Sequence, residues 1–149
     1  MKGRDMENHF RSGLLAALMS LAVCPALVMA QVAGMPKTPG YSSKPLLTAP
    51  LSGDDSREMI SVSVLIEPGG YSPEHVHPGD CIGTVIEGTV DVLERGKEPR
   101  RFGAGSAVLH ARDTILQYRN SSDAPVRILN LLVVEKGKPR ALPPPENTK

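Results

Sequence analysis

Aromatic residues are scarce in this chain of 149 residues: there is no tryptophan, and only three tyrosines and two phenylalanines. That scarcity excludes the stacking platforms on which proteins seat sugars or bases. Cysteine is equally sparse. Of Cys24 and Cys81, only the second lies beyond the N-terminal apolar stretch, so no disulfide framework can be built within the remainder. Charge of one sign is missing too, since 17 basic residues face 16 acidic ones. No basic field exists to attract nucleic acid or an anionic lipid surface. Histidine occurs four times, at His9, His75, His77 and His110, which leaves no defensible Ser-His-Asp arrangement. Gly69-Gly70, Pro78-Gly79 and Gly103/Gly105 are turn or bulge positions, and no phosphate-loop pattern surrounds them. Internal repeats and a sustained 3.6-residue apolar period are both absent.

What is present begins with a leader. Lys2, Arg4 and Arg11 precede an apolar run from Leu14 that closes on Val28-Met29-Ala30, small residues of the kind a signal peptidase reads. Residues 1–30 are expected to be a signal peptide cleaved near Ala30, which makes the protein secreted or periplasmic. Pro25 interrupts the run and no stop-transfer charges follow, so no stable membrane span is expected after cleavage. Val23 before Cys24 does not fit lipoprotein processing. The leader carries three basic and two acidic residues, so 14 of each remain in the following 119 residues. Residues 31–44 and 136–149 are rich in Pro, Gly, Ser and Lys and read as a flexible N-terminal segment and a flexible Pro-rich tail. The folded body is expected over residues 45–135, one domain with a modest core.

That body reads as short strands. Ile60, Val62, Val64 and Ile66 alternate with Ser61 and Ser63, and Val90 and Val92 alternate with Thr89 and Asp91. Further runs over 82–87, 105–110, 114–120 and 126–134 are separated by turn residues such as the "NSSDAP" stretch. Asp54-Asp55 with Arg57-Glu58 reads as a solvated turn. Seven or eight short strands predict an all-β antiparallel sandwich or small barrel. Residues two apart on a strand share a face, so His75 and His77 project together with Cα atoms about 7 Å apart. They either converge on one ion or form an exposed pair on a strand edge.

The stretch "GGYSPEHVHPGDCIGTVIEG" (69–88) resembles the cupin superfamily. The family's first motif is a glycine, five residues, H-x-H, three or four residues, glutamate, six residues and glycine; Gly69, His75, His77 and Gly88 match it. Its second motif is a glycine, five residues, P-x-G, two residues, histidine, three residues and asparagine; Gly105 and Asn120 match. The resemblance covers about residues 45–135. It implies a small single-domain cupin, a jelly-roll barrel of six to eight strands with a metal in its mouth.

The departures are specific. Cys81 stands where the first motif has its glutamate, and Leu116 where the second has its histidine; Ala111 and Asp113 replace the second motif's proline and glycine. His110, six residues before Leu116, stands where some similar small cupins carry an acidic residue, and is the candidate third ligand. His75, His77 and His110 together make a facial set for a divalent metal with open positions. The resemblance implies Fe or Mn; imidazole ligands suit Zn equally. A Cys81 thiolate would favour Zn or copper, but a small buried apolar residue is the plainer reading of that cysteine. Gln117 and Tyr118 are candidates to line the same cavity, and Arg112 and Asp113 to sit at its rim. The implied function is a metal-dependent, dioxygenase-like oxidoreductase acting on a small organic molecule. The alternative is a cupin that captures a metal or small ligand without turnover. An edge strand or the tail would allow a homodimer.

Overall fold

The structure, a computed structural model, describes residues 35–146, so the leader expected over 1–30 lies outside the described residues. Eight strands make up the regular structure: β1 (Tyr41–Leu51), β2 (Asp54–Ile66), β3 (Asp80–Glu87), β4 (Thr89–Glu94), β5 (Arg100–Gly103), β6 (Ala107–His110), β7 (Leu116–Arg119) and β8 (Val126–Glu135). They form a five-stranded sheet in the order β1-β2-β8-β3-β6 and a three-stranded sheet in the order β5-β4-β7. All pairings are antiparallel. Among the described residues no helix is long and apolar enough to cross a membrane.

Period-two patterning builds the core. Ile60, Val62, Val64 and Ile66 of β2 and Val126, Ile128, Leu132 and Val134 of β8 turn inward from one sheet. Val90 and Val92 of β4 and Leu116 and Tyr118 of β7 meet them from the other. Each such side chain, once buried, contributes roughly 1.5–3 kcal/mol. The crossing between sheets falls at Gly88, where φ is +78° and a Cβ would lie 2.5 Å from the Pro125 carbonyl. Only glycine satisfies both conditions there.

Two boundaries differ from the sequence reading. The first strand begins at Tyr41, inside the segment expected to be flexible, because residues 41–44 continue the register of β1 against β2. The tail is likewise fastened in part: Leu142 pairs with Val76 in an isolated bridge, and Arg140 and Ala141 are buried. Neither segment advertises itself, since each carries few apolar residues and relies on backbone pairing. The Asp54 cluster is no free turn either; it opens β2, with the Asp54 carboxylate accepting from the Ser56 amide and Arg57 Nε.

The outer face of the larger sheet is unusually apolar. Ile82 of β3 stands in register with Leu109 of β6 and Leu131 of β8, and all three are exposed.

Candidate functional site

Between β2 and β3 the chain crosses the barrel in an extended segment that carries the H-x-H pair. That segment is fixed by reciprocal backbone bonds between His75 and Leu116, with N···O distances of 3.0 and 2.9 Å. The turn after β6 adds a third tie, Asp113 N to the His77 carbonyl at 3.0 Å. Asp113 holds a left-handed φ of +62°, at the place where the cupin motif carries glycine. Aspartate tolerates that region better than most residues.

His75 and His77 point the same way, as strand parity requires, and their ring centroids are 4.8 Å apart. Each Nδ1–H donates to a main-chain carbonyl: His75 to Pro73 at 2.8 Å and His77 to Arg140 at 2.6 Å. Those bonds fix one tautomer, leaving Nε2 of each ring as a lone-pair acceptor. Nε2 of His77 is buried and has no hydrogen-bond partner among the described residues. Burial holds both imidazoles below their ordinary pKa, His77 down to about 3, so both are neutral at physiological pH.

Both rings line a cavity of about 390 Å³. Val62 and Val64 of β2 and Leu132 of β8 supply apolar wall, and Asn130 adds a polar group. Tyr41 and Ser43 of β1, residues 35–38 and Arg140-Ala141 of the tail also line it. The segments that the sequence left loose therefore form part of this chamber.

His110 is not among the lining residues. It is fully buried on β6, Nδ1–H donating to Glu94 Oε1 and Nε2 facing the Tyr118 hydroxyl, both at 2.9 Å. Tyr118 Oη also lies 3.4 Å from Asn130 Oδ1. One hydroxyl hydrogen cannot serve both acceptors. Burial lowers the His110 pKa, so the neutral ring takes it. Glu94, 4% exposed, is held from outside by Lys97 Nζ at 2.8 Å and Arg100 Nη2 at 3.2 Å. Burial opposes its ionisation, but the bonds from Lys97 and His110 outweigh that, and its pKa falls below the ordinary carboxylate value. Hydrogen bonds Glu94–His110–Tyr118 thus run through the core, and the Tyr118 oxygen ends beside Asn130 on the cavity wall. Gly83 makes room for it, because a Cβ there would lie 2.5 Å from the Tyr118 hydroxyl.

The structure therefore brings His75 and His77 together and engages both nitrogens of His110 elsewhere. Among the described residues no group of three or more His, Cys, Asp or Glu is placed to hold one ion. Cys81 stands in register with His110 but is fully buried in the apolar cluster, away from the cavity lining. Burial pushes its thiol up to about 12, so it packs as a small apolar group. Leu116, in the place of the family's histidine, is buried directly across from His75. Gln117 and Tyr118 do not line the cavity: Gln117 Nε2 donates to the Ser72 carbonyl, and Tyr118 is buried behind it. Arg112 and Asp113 do not pair with each other; the Arg112 amide bonds the Asp80 carboxylate and its guanidinium reaches Glu135 at 3.8 Å.

Two features fit a metal all the same. The paired Nε2 acceptors are oriented by bonds from the opposite ring nitrogen, the arrangement that ligating histidines use. The orphaned Nε2 of His77 also calls for an acceptor-seeking partner. Glu94, Asn130 and Arg140 escaped the sequence reading. Glu94 and Asn130 could have been found by parity, since each takes an inward turn in a strand whose other inward residues are apolar. Arg140 left no such signal.

A two-sheet antiparallel barrel of this topology is a double-stranded β-helix. The Cupin domain profile matches residues 62–134, and the chain belongs to the cupin superfamily. A double-stranded beta-helix domain protein from Klebsiella pneumoniae superposes with a TM-score of 0.57 at 19% identity, covering 68% of this chain and 83% of that one. The DMSP lyase DddQ from Ruegeria pomeroyi gives 0.54 at 21%, covering 71% and 58%. The polyketide cyclase RemF from Streptomyces resistomycificus gives 0.56 at 17%, covering 74% and 76%. At these identities the likeness shows the fold. No curated protein sequence matches the chain.

Proposed function

We propose that this cupin binds a small organic molecule in its cavity beside one divalent metal held by Nε2 of His75 and His77, and acts as a metal-dependent oxidoreductase of dioxygenase type. The pair of tautomer-locked lone pairs, one of them buried without a partner, carries the reading. Fe, Mn or Zn suits imidazole donors; copper ranks behind them because Cys81 stays protonated and out of reach. A bound ion would supply Lewis acidity and, if iron, electron exchange with dioxygen. The chain's own contribution is to orient the two rings through the Pro73 and Arg140 carbonyls and to keep the chamber partly dry with Val62, Val64 and Leu132. His110 takes a supporting role, holding Tyr118 rather than the ion.

Metal content of untagged protein tests this. Wild type should carry about one equivalent, His75→Ala and His77→Ala should lose it, and His110→Ala should keep it. Retention of metal in both first variants would refute the site. A second reading, capture without turnover, is favoured by Leu116 standing in the place of the second motif's histidine. Oxygen uptake with small phenols, diketones and thiols separates the two. Export rests on the leader alone. Its test is whether the protein in a periplasmic fraction starts near Gln31.

A further inference from the structure

We propose that the cavity is built for an organic anion whose carboxylate pairs with Arg140. Arg140 is 8% exposed and lines the chamber, yet no carboxylate among the described residues pairs with its guanidinium. Its Nη2 donates to Ser43 Oγ at 3.1 Å, while Nη1 is buried with no partner among the described residues. A cation taken out of water without a counter-charge is costly, and a fold does not retain one idly. The surroundings agree. Among the described lining residues none is acidic, and the other charged one is the exposed Lys37. Tyr41 and Ser43 place two more hydroxyl donors on the same wall. Burial raises the Tyr41 pKa and keeps its phenol protonated.

The Arg140 main chain ties this anchor to the histidines, because its carbonyl receives the His77 Nδ1–H. One residue thus fixes a ring through its backbone and offers an unpaired charge through its side chain. A ligand seated on the guanidinium by its carboxylate would lay its remaining atoms toward His75 and His77. The ligand class that follows is a small organic acid with a second polar group, and the specificity of the site is set by charge at Arg140. This deepens the functional reading above but rests on its cavity alone, not on its metal.

The experiment compares acids with their neutral amides on the full chain after leader removal. Calorimetric titrations with benzoate and succinate, and with benzamide and succinamide, are run on wild type, Arg140→Met, Arg140→Lys and Ser43→Ala. The acids should bind wild type saturably and the amides at least tenfold more weakly. Arg140→Met should lose tenfold or more of the acid affinity, and Arg140→Lys should recover part of it, a point charge replacing a fork. Ser43→Ala should lose less than Arg140→Met. Because the His77 tie uses the Arg140 backbone, metal content in Arg140→Met should equal wild type. Equal binding of acids and amides, unchanged acid binding by Arg140→Met, or no saturation by about 50 mM in wild type would overturn the proposal. If Arg140→Met does not fold, the acid-amide comparison on wild type decides. Loss of metal in His77→Ala with acid binding retained would leave this inference standing; metal binding without any acid preference would leave only the metal reading.

Discussion

Acidifying the metal-free protein should destabilise it well above the range where carboxylates titrate. His75, His77 and His110 are all buried neutral, each with its pKa lowered chiefly by burial. The unfolded chain binds a proton at each near pH 6.5, whereas the folded chain does not until a lower pH. Stability from such a group is therefore complete above about pH 6.5 and drains away as pH falls toward the folded value. For His77, whose folded value is about 3, the loss between pH 7.5 and 5.5 is about 1.4 kcal/mol. His75 and His110 add to it in the same sense. Glu94, with its pKa lowered, adds a loss only below the ordinary carboxylate range. Against a total stability of roughly 5–15 kcal/mol this is a large fraction. Urea unfolding of chelator-treated protein, followed by far-UV circular dichroism because no tryptophan is present, measures it. His77→Gln should flatten the profile by about 1.4 kcal/mol over the same interval. A profile that is level between pH 7.5 and 5.5, or that rises toward acid, would refute the burial of neutral rings.

Tyr118→Phe removes the partner of His110 Nε2 and should cost about 1–3 kcal/mol, read by thermal unfolding, because a buried acceptor is left unmet. Gly83→Ala should cost about 1–3 kcal/mol as well, its methyl displacing the Tyr118 hydroxyl; the two effects should be less than additive, since both act on one contact. Leu109→Glu and Leu131→Glu place charges on the apolar outer row, and sedimentation velocity should show a homodimer in wild type and a monomer in the variants. A wild-type monomer would remove any dimer role for that face.

How far the site could be read in advance follows from what strand parity can carry. Alternation alone put His75 and His77 on one face, and the structure keeps them there. The same rule, applied to Val90-Val92-Glu94 and Ile128-Asn130-Leu132, points Glu94 and Asn130 inward. A polar residue at an inward position is where a core gives up apolar contact for a hydrogen-bonded group. Read alone, His110 looked like a spare ligand; read beside Glu94, it has a partner on the facing sheet, and a donated Nδ1–H to a carboxylate explains its burial without an ion. Parity fails for Arg140, which lies in no strand and reaches the chamber because Leu142 pairs with Val76 and carries the tail across the mouth. Backbone pairing of that sort leaves no trace in side-chain pattern. The part of the chamber that carries Arg140 is accordingly the part that composition labels loose, and a proline-rich end with one arginine in it is better judged by where its carbonyls can bond than by its hydropathy.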